Sequence, residues 1–292
     1  MRVEERPFFS AGKRIAARVR IPRQQQSPAI VINHGYSGDK QEYDAMAHYL
    51  CERGFLTIQF DSRGCGESEA PKGRMMCGTE WLEDAANAVS YAAGLEEADA
   101  DKIGFTGCSM GGALTVCMAA LDSRVKCAVA MAPLASGREM LGENWTRNRS
   151  REAYEAFLRE LEADSRETVK AGISKYVSVP YALGMGEADE RDYHRFRDEH
   201  PGMVRDVPLE SVANSFLRFE PWLYASAVEV PLLLMHGSAD TIVSLRHSQR
   251  IRACVHTRCE LKVIDGAPHP LPTSDYAPQV FELAADWFEQ YL

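Results

Sequence analysis

No stretch of this sequence approaches the ~18 uninterrupted apolar residues that a membrane-spanning helix needs, so membrane insertion is not expected. The N-terminal MRVEERPFFSAGKRIAARVRIP lacks the apolar centre of a secretory signal. Basic residues are not in excess: 33 Lys and Arg against 42 Asp and Glu leave a formal net charge of −9, opposite to the surface of a nucleic-acid binder. The eight cysteines, at 51, 65, 77, 108, 117, 127, 254 and 259, contain no C-x-x-C pair and no metal-ligand spacing. In a chain without an export signal they are expected to be free thiols in a reducing cytosol, with no metal and no cofactor. The sequons at Asn144 and Asn148 are then expected to carry nothing. Internal repeats and low-complexity tracts are also missing.

What is present is enough apolar material, 45% of residues, for a sizeable core. The length of 292 residues exceeds the ~200–250 of many single α/β domains, which suggests one core with an insertion or two modest domains. Short apolar runs alternate with helical patterns in the first part of the chain: AIVINHG (29–35), helix 39–54, FLTIQFD (55–61), helix 79–95 with Thr79 as N-cap, KIGFTGCS (102–109), helix 110–121 and KCAVAMAP (126–133). Near-continuous apolar strands separated by helices predict a parallel sheet covered on both faces. KRIAARVRIP (13–22) alternates polar and apolar residues, as an antiparallel edge strand does.

The rhythm stops after Pro133. Residues 135–225 are richer in charge and aromatics, with helical stretches at 151–173 and 187–200 and no buried-strand run. It returns at VPLLLMHG (230–237), helix 243–255, CELKVID (259–265) and helix 275–292. The predicted organisation is an α/β core of 1–134 and 226–292 interrupted by a helical cap, 135–225. An insertion after a strand's C-terminal end sits where open parallel sheets bind ligands.

The pattern G-x-S-x-G at Gly107-Cys-Ser109-Met-Gly111 lies where a strand turns into a helix, the context of a nucleophile elbow. Glycines there let strand and helix approach and leave the Ser109 hydroxyl exposed. The helix N-terminus puts free N–H groups beside any oxyanion. A serine nucleophile needs a base, and the base an orienting acid. Of eight histidines, His48, His194, His200, His247 and His256 lie in helical or polar stretches, whereas His34, His236 and His269 lie at or just after strand ends. His269, in the loop after the last strand, is the preferred base. Asp240, on the loop after the penultimate strand, is the preferred acid, with Asp265 as rival. In His34-Gly35-Tyr36-Ser37-Gly38 the Tyr36 N–H can pair with that of Met110 as an oxyanion hole. The turn 61–68, DSRGCGES, reads as structural, with Asp61 and Arg63 bonded to nearby backbone; no GK[ST] follows to make it a phosphate loop.

HGYSG (34–38), DSRGCGES (61–68), GCSMGG (107–112), HGSADTIV (236–243) and GAPH (266–269) together resemble the α/β-hydrolase family, and within it the bacterial serine esterases and the dienelactone-hydrolase-like and acyl-peptidase-like branches. The resemblance implies a mostly parallel eight-stranded sheet with an inserted cap, Ser109, Asp240 and His269 as a triad, and Tyr36 and Met110 as oxyanion donors. A dienelactone hydrolase would carry cysteine at position 109; here Cys108 precedes the serine and is expected to be core. The expected activity is hydrolysis of a carboxylic ester of a small organic molecule. Amide, peptide, thioester or carbon–carbon bond cleavage on the same residues, and a ligand-binding protein with little turnover, are the alternatives. In the cap, Trp145, Arg147 and Trp222 are candidate substrate contacts. The pattern sets no oligomeric state and is compatible with a homodimer.

Overall fold

The apolar runs, together with the polar segment Arg2–Glu5, become strands in the computed structural model, which describes every residue except Gln25. Eight of them form one sheet: β1 (Arg2–Glu5), β2 (Ala17–Ile21), β3 (Ser27–Asn33), β4 (Leu56–Phe60), β5 (Ala98–Cys108), β6 (Val125–Met131), β7 (Leu232–Gly237) and β8 (Cys259–Ile264). Their spatial order is β1-β2-β4-β3-β5-β6-β7-β8. From β4 to β8 every neighbouring pair is parallel; β2 runs antiparallel to both β1 and β4. The central strands are buried on both faces because helices cover both, which is why β3 and β6 read as unbroken apolar runs.

The segment 13–22 is not the sheet edge. Ala11 and Gly12, both at positive φ, turn Lys13–Ile15 back onto Phe8–Ser10 as a separate two-stranded ribbon. Only 17–21 enters the main sheet, and β1 covers its outer side. The polar residues of β2 that suggested an edge are held instead: Arg18 and Arg20 both bond the Asp44 carboxylate at 2.7 Å.

The helices are α1 (Asp44–Glu52), α2 (Glu80–Ala93), α3 (Met110–Leu121), α4 (Gly137–Asn148), α5 (Arg151–Ala171), α6 (Val179–Ala182), α7 (Glu187–Glu199), α8 (Leu209–Asn214), α9 (Leu245–Cys254) and α10 (Ala277–Tyr291). Thr79 does precede α2, but its hydroxyl caps nothing. Ser150 and Gly172 bound α5 as a side-chain cap and a left-handed stop. α3 is apolar all round because it runs under the following segment as well as over the sheet.

Helices α4–α8 lie between β6 and β7, and no described residue there joins the main sheet. This segment is not wholly helical. Tyr176–Ser178 and Asp206–Pro208 pair antiparallel, in strands too short to show a period in sequence. Phe157, Leu161, Leu209 and Phe216 from the segment share a buried cluster with Trp81, Met110 and Leu114, so it is fastened over the N-terminal end of α3.

Close strand–helix approach at the start of α3 depends on missing side chains. A Cβ on Gly111 would be driven into the carbonyl oxygens of Asn33 and His34, both backbone atoms of β3 and its exit. Gly111→Ala is therefore expected to destabilise the fold by about 1–3 kcal/mol, the range of an overpacked core, read as a lower denaturant midpoint.

Candidate active site

Ser109 leaves β5 and precedes α3 with φ 58° and ψ −117°. A left-handed backbone on a residue with a Cβ costs about 1–3 kcal/mol and persists only where the surroundings enforce it. Here Ser109 N–H donates to Met131 O (2.9 Å) and Ser109 O accepts from Ala113 N–H (2.9 Å). Gly107 and Gly112 leave room for this turn: a Cβ on either would lie 2.5 Å from the carbonyl oxygen of Asn33 or Met131.

Asp240 follows β7. Its Oδ1 accepts the N–H groups of Ile242 (2.9 Å) and Val243 (2.8 Å), and its Oδ2 lies 2.7 Å from His269 Nδ1. The carboxylate is 1% exposed and the imidazole 12%. Burial would push the Asp240 carboxyl up, but the charge of His269 and hydrogen bonds from two imidazoles outweigh it and hold the acid well below the usual carboxylate range. The second imidazole is that of His236, whose Nε2 is 3.3 Å from the same Oδ2 and 2.8 Å from Val243 O, while its Nδ1 meets the Ser248 hydroxyl at 2.7 Å. In the sequence His236 stands at a strand end with no role assigned to it. The signal was its position four residues before Asp240, across the turn that begins at Gly237. Asp265, the rival acid, faces elsewhere and takes a bond from the Ser238 hydroxyl (3.0 Å).

The loop after β3 passes beside Ser109: a Cβ on Gly35 would lie 3.6 Å from that of Ser109. Among the described residues no acceptor takes the N–H of Tyr36 or Met110. His34 is structural, its Nδ1 2.8 Å from Gly35 O and its Nε2 accepting Ser62 N–H at 2.9 Å; burial pushes its pKa down. The 61–68 turn also holds backbone, as expected. Asp61 accepts the N–H groups of Lys40 (2.7 Å) and Glu67 (2.9 Å), and Arg63 donates to Glu80 O (2.7 Å). Cys108 is 4% exposed, and burial with Asp240 nearby pushes its thiol up, which suits a packing role rather than a nucleophile.

Ser109, Met110, Tyr36 and His269 line one cavity of about 650 Å3. Its other walls come partly from the core, including Tyr43, Ile242 and Tyr276, and partly from the inserted segment, including Met140, Leu183, Tyr193 and Phe216. The three substrate contacts expected in that segment are not among them. Trp145 is 3% exposed and stacks on Phe157 (4.5 Å between rings) inside the buried cluster, so its aromatic surface is spent on packing. Trp222 is bonded to Glu220 (2.8 Å) and covered by Arg250 (4.0 Å), on the α9 side of the sheet. Arg147 donates to Asn144 (2.8 Å) and to the Thr241 carbonyl and borders a different cavity with Glu143 and Arg246. Arg147→Ala is accordingly expected to change KM for anionic and neutral esters by the same factor; a selective loss with anions would put the guanidinium on the substrate path.

Among the described residues no group of His, Cys, Asp and Glu is arranged to hold a metal ion. All eight cysteines are free. Among the described residues no helix is long and apolar enough to cross a membrane.

The sheet order, the inserted segment and the turn at Ser109 define an α/β-hydrolase fold. The chain belongs to the Hydrolase_4 family, described as serine aminopeptidase, S33, which it matches over residues 24–274. It is similar to an uncharacterized 31.7 kDa protein of the traX-finO intergenic region of Escherichia coli, with 27% identity covering 95% of this chain and 96% of that one. It is also similar to the acyltransferase drtE of Aspergillus calidoustus, at 25% identity over 84% of this chain and 80% of the relative. Among solved structures, the α/β hydrolase GrgF of Penicillium sp. sh18 superposes with a TM-score of 0.83 at 16% identity, covering 100% of this chain and 99% of that one.

Proposed function

We propose that the protein is a serine hydrolase that cleaves a carboxylic ester of a small organic molecule through an acyl-enzyme. The reading is carried by one observation: a part-buried Asp240–His269 pair at 2.7 Å opens onto the same cavity as a serine held in a strained strand-to-helix turn. In the first step His269 Nε2 takes the hydroxyl proton of Ser109 as Oγ attacks the ester carbonyl. The oxygen, now negative, is held by the N–H groups of Tyr36 and Met110, the latter at the positive end of α3. Collapse breaks the bond to the leaving alkoxide, which receives the proton from His269. Water then attacks the acyl-enzyme, giving its proton to His269; the carboxylic acid leaves and Ser109 regains its proton. Asp240 orients the imidazole and stabilises its cationic form. The inserted segment acts as a cap over the cavity.

A second reading is supported by the acyltransferase name of the drtE relative: an acceptor other than water takes the acyl group, making the protein an acyltransferase. The chemistry up to the acyl-enzyme is identical. A fluorophosphonate probe, which reacts with activated serines, tests the shared part; failure to label the folded wild type would sink both readings. A panel of esters with matched amides and thioesters, run with and without added alcohols, then separates hydrolysis from transfer and ester from amide.

A further inference from the structure

The loop that carries Tyr36 is held in two different ways along its length. Its ends belong to the core: His34 bonds Ser62 N–H (2.9 Å), and Lys40 bonds Asp61 through both its backbone N–H (2.7 Å) and its ammonium (3.1 Å). Its crown is held by the inserted segment. Ser37 is 1% exposed and sits at φ 69°, a left-handed conformation that a serine does not choose on its own. The Ser37 carbonyl accepts the Val204 N–H at 2.8 Å. The Tyr193 hydroxyl donates to the Val204 carbonyl at 2.7 Å and lies 3.5 Å from Ser37 Oγ, so it closes a small ring with the crown. Gly202 completes the contact, since a Cβ there would collide with the Asp39 carboxylate.

From this arrangement we propose that Tyr193, on α7 of the inserted segment, is a positioning residue for the oxyanion hole: by fixing Val204 it sets Ser37 and with it the aim of the adjacent Tyr36 N–H. The inference rests on the oxyanion role proposed above for Tyr36. Tyr193 borders the cavity but acts through the loop rather than by touching the reacting atoms. Burial raises its phenol to about 12, so it remains a hydroxyl donor at neutral pH. The consequence is that the hole is complete only while α7 is seated. The strain at Ser37 supplies a reason for the crown to relax once the hydroxyl is removed.

Tyr193→Phe isolates the hydroxyl and keeps the ring. Active sites are counted by fluorophosphonate titration, so that a smaller folded fraction does not masquerade as a slower enzyme. Per active site, kcat is expected to fall about tenfold or more, as misaimed groups cost, with KM within twofold of wild type. An alkyl boronic acid, whose tetrahedral adduct on Ser109 carries the mimicked oxyanion, is expected to lose affinity by the same factor. Amide hydrogen exchange over 35–38 is expected to quicken in the variant. A rise in KM with unchanged kcat would assign the hydroxyl to ground-state substrate binding and overturn the inference, as would unchanged kcat with unchanged boronate affinity. Exchange is read without turnover: if the wild type hydrolyses nothing, the functional reading fails, yet equal exchange at 35–38 in wild type and variant still overturns the coupling itself.

Discussion

Ser109→Ala is expected to fold like the wild type and to hydrolyse esters about 10^5-fold more slowly, with fluorophosphonate labelling abolished. The size follows from losing the attacking atom while the rest of the constellation has nothing to act on. Stability should barely move, because the backbone strain at φ 58° is the same for alanine and the lost hydroxyl holds no structural hydrogen bond among the described residues. Labelling that persists in the variant would show that another residue reacts with the probe. Retained turnover would remove Ser109 from the reaction.

Asp240→Asn carries the second largest expected effect, a fall in kcat of about 10^4. The reason lies in donor and acceptor counting. The Asp240 carboxylate faces only donors: two backbone N–H groups at Oδ1, and the two imidazoles at Oδ2. An amide must present its NH2 group to one of those sides. If it faces the backbone, two N–H groups lose their acceptor. If it faces His269, the ring is forced to carry its proton on Nε2, the nitrogen that must receive the serine proton. The second choice removes the base, and the first keeps the tautomer only at the cost of two unpaired N–H groups and of the negative charge that stabilises the imidazolium.

The same substitution has a pH signature. Because the folded protein holds the Asp240 carboxyl well below its ordinary value, ionised Asp240 contributes stability that is present above the unfolded pKa of about 3.9 and is lost as pH falls through the lower folded value. The wild type should therefore exceed Asp240→Asn in denaturant midpoint at pH 7, with the gap narrowing below about pH 4. A gap independent of pH would mean that the loss is one of packing rather than of charge.

The core, and the placing of the candidate site residues at strand ends, are legible in the sequence because their signals are local. Each βα unit shows its own period, and the glycines around Ser109 and Gly35 mark places where backbones must touch. Asp240 and His269 could be chosen because both follow strand ends, a matter of chain order. Three-dimensional partnership was not legible in the same way. His236 at 3.3 Å from Asp240, and Tyr193 on the loop crown, depend on turns whose shape no period encodes. Trp145, Arg147 and Trp222 lie outside the cavity that Ser109 lines, and sequence does not tell this apart: an aromatic or arginine in an insertion looks alike whether it faces a cavity or a neighbour. The β1 strand, RVEE, went unread because its burial is slight and nothing apolar announces it.

The inserted segment leaves the sheet after Met131 and returns to it at Leu232, and those two strands are hydrogen-bonded neighbours, with Met131 opposite Met235 and Ala132 N–H on Met235 O at 2.7 Å. Its departure and arrival points are thus adjacent, and the strand pairing between them does not rely on what happens in between. A parallel crossover demands only about a dozen residues. Evolution can therefore lengthen, shorten or exchange everything from 135 to 225 as a cassette, provided the replacement still crosses over and covers the apolar end of α3. In such a chain the bond-breaking apparatus and the choice of what reaches it can change at different rates, and the grip of Tyr193 and Val204 on the loop at Ser37 is one place where the two histories are tied together.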